Sequence, residues 1–252
     1  MDKGKLQRGL IIGLYVLGAL AAAVVALGVG ILRHVGFSVA GIFVCGMAVC
    51  LPVGAAVILQ VRQESGAPRK VEIAKRFLWA VFCIYIVLLA GLLFLGGYRY
   101  YSGSMLPFWE TFHLNTNFVP GRTILRYITG YAQGSYNTII VVHNLLGNLL
   151  LFAPAGLLLP CLFGRLRSFR LFVLTMLAAL VLVESGQLLL RVGMCDIDDV
   201  ILNLTGACFF FGLWKLEPVQ RLLRRLYLLP GGGEEQEETC PNAVLILEGE
   251  GK

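Results

Sequence analysis

The sequence predicts an all-α, polytopic membrane bundle of about six transmembrane helices, and three observations carry that reading. Of 252 residues, 58% are hydrophobic and the mean hydropathy is +0.79, whereas about half apolar is usual for a soluble domain. Six separate stretches reach the roughly 20 apolar residues that a helix needs to cross the hydrocarbon core. Long apolar runs of this kind can satisfy their backbone groups inside lipid only as helices.

The elements follow in order. The first span is placed at 10–32. Met1 to Ala23 has the basic start, apolar run and small residues of a cleaved signal peptide, but the run continues to Leu32, so a retained helix is expected. Gly9 and Gly13 form a G-x-x-x-G that reads either as a packing face or as chance among 30 glycines. A second span at 37–60 leads through a basic connection, 61–76, to a third at 77–97. Residues 98–137 form the longest loop, rich in Tyr, Phe and Trp, with Met105-Leu106-Pro107-Phe108-Trp109 near its start and Pro120-Gly121 as a turn signal. This loop reads either as an interfacial aromatic belt or as a lid that contacts substrate, since loops beyond about 12–15 residues are often functional. Spans four to six are placed at 138–161, 170–190 and 198–216. The chain thus divides into an N-terminal three-helix membrane region (1–97), an extracytoplasmic loop (98–137), a three-helix core (138–216) and a cytoplasmic acidic tail (217–252) that is expected to be disordered. From Pro230 the tail carries Gly231 to Gly233 and then Glu234, Glu235, Glu237 and Glu238, a composition that predicts disorder.

Basic residues set the expected orientation, because cytoplasmic connections carry the Lys/Arg excess. Lys3, Lys5 and Arg8, then Arg62, Arg69, Lys70, Lys75 and Arg76, then Arg165, Arg167 and Arg170, and finally Lys215, Arg221, Arg224, Arg225 and Lys252 fall on one side. Arg33, Arg99, Arg122, Arg126 and Arg191 fall on the other. Both termini are therefore expected in the cytoplasm. The net charge of +6 reads as a topology signal and as contact with anionic lipid head groups, not as a nucleic-acid surface. Cysteines 45, 50, 83, 161, 195, 208 and 240 form no C-x-x-C pair and lie mostly in apolar helices, so no disulfide framework, metal site or cofactor site is readable. Only Cys195 falls clearly in an outer loop.

Two polar clusters interrupt the apolar runs. His143, Asn144 and Asn148 lie in the outer half of the fourth span; Glu184, Gln187 and Arg191 lie toward the outer end of the fifth; Asp196, Asp198, Asp199 and Asn203 open the sixth. At 1.5 Å per residue Glu184 sits about 10 Å below the fifth span's end and Asn203 about 7 Å into the sixth, a common depth. Glu184, Gln187 and Arg191 at i, i+3 and i+7, Asn144 and Asn148 at i and i+4, and Asp199 and Asn203 likewise form helical stripes. An ionised side chain at depth costs about 2.5–3.5 kcal/mol even on a lenient scale, so the stripes are expected to face one another. Simpler roles remain open: Asp198 or Asp199 capping the sixth helix, the asparagines joining helices, His143 bonding at the interface, and Pro154 with Gly156 kinking the fourth helix. Glu184, the acidic residue well inside a span, reads either as functional or as a structural partner of Arg191 or the asparagines.

These blocks, Asn144-x-x-x-Asn148-x-x-x-Phe152-x-Pro154-x-Gly156, then Glu184-x-x-Gln187, then Asp196-x-Asp198-Asp199-x-x-x-Asn203-x-x-Gly206, resemble the VanZ-like family of bacterial membrane proteins in their order and spacing. Its founding member is linked to resistance against the glycopeptide teicoplanin. The chain departs from the family pattern at Met105, where an Asn often opens N-L-x-P-F, and at Gly193, where an arginine often precedes the aspartates; Arg191 lies two residues earlier. The resemblance implies a multi-pass protein of the bacterial cytoplasmic membrane, acting in glycopeptide resistance or cell-envelope physiology. The physical reading attached to it is an outward-facing polar pocket that binds a lipid-linked cell-wall precursor, with Asn144, Asn148, Glu184, Gln187, Arg191, Asp196, Asp198, Asp199 and Asn203 as ligand-binding candidates. Membrane lipids are the other expected partner, and nucleic acid is not one. An alternative is an enzyme using Glu184 with Asp196, Asp198 or Asp199 as acid/base groups or as oxygen ligands of a divalent cation, and the catalytic candidates are then Glu184, Asp198 and Asp199. No G-x-S-x-G, H-E-x-x-H or P-loop pattern names such an enzyme. A proton-coupled transporter with Glu184 as relay is a third reading, weakened by the absence of a second polar half or evident repeat.

Overall fold

A computed structural model describes residues 3–31, 39–95 and 107–229. Six helices in it are long and apolar enough to cross a membrane, over Lys5–Val25, Val44–Gln63, Ala67–Phe94, Thr138–Leu162, Phe169–Leu189 and Ile197–Lys215, so the predicted all-α polytopic class holds. In chain order the elements are α1 (Lys3–Ile31), α2 (Val39–Gln63), α3 (Ala67–Ala90) running into a π-helical turn (Gly91–Leu95), α4 (Phe108–Leu114), β1 (Thr116–Asn117), α5 (Arg122–Ala132), α6 (Thr138–Leu151), α7 (Ala153–Leu162), α8 (Phe169–Leu189), β2 (Cys195–Asp196), α9 (Ile197–Lys215) and α10 (Glu217–Arg225).

Local chemistry explains the boundaries. Proline in the first turn of α3, α7 and α10 occupies a position whose N–H has no intrahelical partner. Asn137 caps α6 by accepting the Ile140 N–H at 2.9 Å. The fourth span is broken into α6 and α7 at Phe152, just before Pro154, which agrees with the kink expected there. At the end of α8 the chain turns left-handed at Arg191 (φ 53°), where the Arg191 N–H donates to the Leu188 carbonyl and the Val192 N–H to that of Gln187. Tyr227 (φ 60°) ends α10 in the same way, through Tyr227 N–H to Arg224 O and Leu228 N–H to Leu223 O. Glycine usually takes this position, and another residue there costs about 1–2 kcal/mol.

The core lies where α6, α7 and α8 pack on α9. Phe172 and Phe211 stack at 4.5 Å between ring centroids, with Met176, Leu180 and Ala207 buried beside them. Lipid supplies no hydrophobic drive between helices, so close backbone approach and polar bonds must hold them. Gly206 meets the Leu149 carbonyl and Gly156 the Ala207 carbonyl, and a Cβ at either position would collide. α1, by contrast, packs mainly on α2 and leaves most of its apolar side chains exposed. Gly18 of α1 packs against Val53, whereas Gly9 and Gly13 approach nothing among the described residues.

Three segments differ from expectation, the first being the basic connection expected at 61–76, which is mostly helix because α2 runs to Gln63 and α3 begins at Ala67. Residues 107–137 form structured elements, and β1 pairs in parallel with β2, Thr116 opposite Cys195 and Asn117 opposite Asp196. The start of the expected tail is also ordered: α10 follows α9, and Tyr227 and Leu229 are buried. The acidic stretch expected to be disordered, 230–252, together with Cys240, lies outside the described residues, as do Arg33, Arg99 and Met105.

Candidate functional site

The polar residues of the last three spans meet at one end of the bundle. Asp196 stands just before α9 and caps it, accepting the Asp198 N–H at 2.9 Å on Oδ1. Asn117 donates to the same oxygen at 2.9 Å, and the Thr123 hydroxyl donates to Oδ2 at 2.6 Å. Thr123 in turn accepts from Arg126 at 2.9 Å. The capping role considered for Asp198 or Asp199 on their own helix thus belongs to Asp196.

Asp198 caps a different helix. Fully buried, it accepts the Gly121 N–H at 2.5 Å on Oδ1 and the Thr123 and Ile124 N–H groups at 2.7 and 3.2 Å on Oδ2. These are the free N–H groups at the start of α5, where an anion is favoured by both hydrogen bonding and the helix dipole. The turn at Pro120-Gly121, with Gly121 at φ 82°, aims them at the carboxylate. Two aspartates at the mouth of α9 therefore fasten the intervening loop onto the helical core.

Asp199 faces the other way. It accepts a hydrogen bond from the Asn148 side chain of α6, and its backbone carbonyl accepts Asn203 Nδ2 at 2.8 Å. The predicted pairing of the Asn148 and Asp199–Asn203 stripes is present. The buried Asn203 Oδ1 has no hydrogen-bond partner among the described residues. Asn144 bonds back to the Ile140 carbonyl at 2.7 Å and does not join the cluster, and His143 is exposed.

On α8, Glu184 is buried and accepts the Asp196 N–H at 3.1 Å on Oε2, with Asp196 and Asp199 as charged neighbours. Gln187 donates to the Leu93 carbonyl at 2.9 Å, in the π-helical turn that ends α3. Arg191 leaves the Glu184 face because α8 ends at Leu189 and the chain then turns left-handed. Beside Glu184 lies a cavity of about 360 Å³. It is lined by Phe108, Phe112 and Phe118 of the loop, by Val181, Glu184 and Leu188 of α8, and by Cys195, Asp196 and Val200. Burial, reinforced by the Glu184 and Asp196 charges, pushes the Cys195 thiol above its ordinary value. The exposed Trp109 and Phe118 keep the belt reading of the loop in play, while the lining phenylalanines give it the position of a lid.

Sequence reasoning missed Asn117, Gly121 and Thr123. The turn signal at Pro120-Gly121 was the only trace of their part in the site, because their partners lie more than 70 residues away in the chain. No curated protein and no solved structure matches this chain. The family VanZ/LLP1 matches over residues 82–219, which takes in α6–α9, the loop before them and every candidate residue above. This multi-pass membrane protein belongs to the VanZ/LLP1 family.

Proposed function

We propose that this VanZ-like protein acts at the bacterial cytoplasmic membrane, its carboxylate end outward, by binding a lipid-linked cell-envelope component, in teicoplanin-type glycopeptide resistance or in envelope physiology. The observation that supports this reading is the cavity beside Glu184, with aromatic and aliphatic walls and carboxylates along one side. Ligand sites are commonly apolar clefts of about 300–1,000 Å³ with a few placed polar groups. An isoprenoid chain suits the Phe108, Phe112, Leu188 and Val200 walls. Glu184 and Asp196 suit an amine or hydroxyl of the head group.

The enzymatic alternative needs carboxylates free to exchange protons or bind a cation. Asp196 and Asp198 each accept three hydrogen bonds, an arrangement that favours holding the loop over chemistry. Glu184 and Asp199 remain as acid/base candidates for that reading.

The test is teicoplanin and vancomycin susceptibility of a sensitive Gram-positive host expressing wild type or Glu184→Gln at matched membrane levels. The expected result is higher teicoplanin tolerance with wild type and none with the variant. If both proteins insert and neither changes susceptibility, the resistance role fails.

A further inference from the structure

We propose that the end opposite the carboxylate cluster carries a second site, for an anionic phospholipid, between the α2–α3 hairpin and the chain that follows α10. A cavity of about 490 Å³ lies there. Its apolar part is made by Val57, Ile58, Val61 and Phe77, in the last turns of α2 and the first turns of α3, within the two membrane-spanning stretches. Arg62, Lys70 and Arg225 also line it, and no lining residue is acidic.

The cavity thus joins an apolar groove inside a span to three cations at the level where that span ends. A phospholipid has the matching order of parts, an acyl chain below a phosphate. The site is also built. Lys70 is half-buried, its Nζ donating to Tyr227 Oη at 3.5 Å and lying 5.3 Å from that ring's centroid. Tyr227 holds its place in a left-handed backbone position usually given to glycine, and its buried ring forms part of the wall. The cations at the mouth favour an anionic over a zwitterionic head group. This inference is independent of the function proposed for the carboxylate end.

Native mass spectrometry of the full-length protein in detergent, titrated with phosphatidylglycerol or phosphatidylcholine, tests it. Wild type should retain phosphatidylglycerol selectively. The triple variant Arg62→Gln/Lys70→Gln/Arg225→Gln should bind it roughly a hundredfold more weakly, at about fivefold per charge. Ile58→Trp, at a half-exposed lining position, should block retention while leaving the charges in place. A control triple, Arg165→Gln/Arg167→Gln/Arg170→Gln, removes as much charge from the same end without touching the cavity and should bind as wild type does. Equal retention of both lipids by wild type, an equal loss in the control, or full competition by inorganic phosphate alone would overturn the proposal. So would wild-type binding by folded Ile58→Trp.

Discussion

At the end formed by β1, β2, α5 and the start of α9, Glu184, Asp196, Asp198 and Asp199 are buried or half-buried, and each accepts hydrogen bonds from another element or from the backbone. At the opposite end Arg76 pairs with Glu72 at 2.6 Å and Arg221 with Glu217 at 3.9 Å, all four side chains well exposed. Exposed pairs of this kind contribute about 0–1 kcal/mol, whereas a buried acceptor that loses or orphans several donors costs far more. Charge at the first end fixes tertiary structure. At the second these exposed pairs lie along single helices and join no elements.

The sharpest way to break this contrast is Asp198→Ala. Three N–H groups at the start of α5 lose their acceptor, at about 1–3 kcal/mol each when left buried, so a loss of roughly 3 kcal/mol or more is expected. Thermal unfolding in detergent would show it, and limited proteolysis should find new cleavage within 107–137. Unchanged melting and protection would mean that the loop is held by its aromatic contacts alone.

Gly206→Ala comes next. Its Cβ meets the Leu149 carbonyl, α6 must move off α9, and overpacking of this kind costs about 1–3 kcal/mol. Because Asn148 lies one residue before Leu149, its bond to Asp199 should weaken as well. The double variant Gly206→Ala/Asn148→Ala should therefore lose less than the sum of the single losses. Strict additivity would show that helix spacing does not set that bond.

Cys195 offers a smaller effect, read as a rate. A raised thiol value keeps the thiolate scarce at neutral pH, so maleimide labelling of a variant with Cys195 as its sole cysteine should rise about tenfold per pH unit from pH 7 to 9. Glu184→Gln removes one of the charges that raise the thiol and should speed labelling at the alkaline end of that range. A flat profile would place the thiol outside the influence of the cluster. At the far end of the scale, Arg76→Gln should change stability by less than about 0.5 kcal/mol; a loss comparable to that of Asp198→Ala would erase the contrast between the two ends.

Much of this arrangement was legible in the sequence because it follows helical periodicity. The six spans depend on apolar run length and the meeting of Asn148 with Asp199 on i, i+4 spacing, while the break at Phe152 follows from Pro154. What periodicity does not encode was missed. Asn117 and Thr123 belong to a polar loop, and only the fold brings them to Asp196. Asp196 rather than its neighbours caps α9 because the helix begins at Ile197, which puts Asp198 and Asp199 inside its first turn. Arg191 leaves the Glu184 face because the turn that ends α8 sets in before it, at a residue that is not glycine. α10 is short and amphipathic, and the tail's glutamates masked it in a composition-based reading.

Asp196 and Asp198 together fasten the loop over the cavity beside Glu184. Cross-linking across the β1–β2 pair in native membranes tests it most directly, with Thr116→Cys opposite Cys195 and the other cysteines replaced. Cross-linking by a short thiol reagent at pH 9 is expected, and it should be largely lost when Asp198→Ala is added. No cross-link in the parent would mean that β1 does not lie beside β2, and equal cross-linking after Asp198→Ala would mean that Asp198 does not hold the loop.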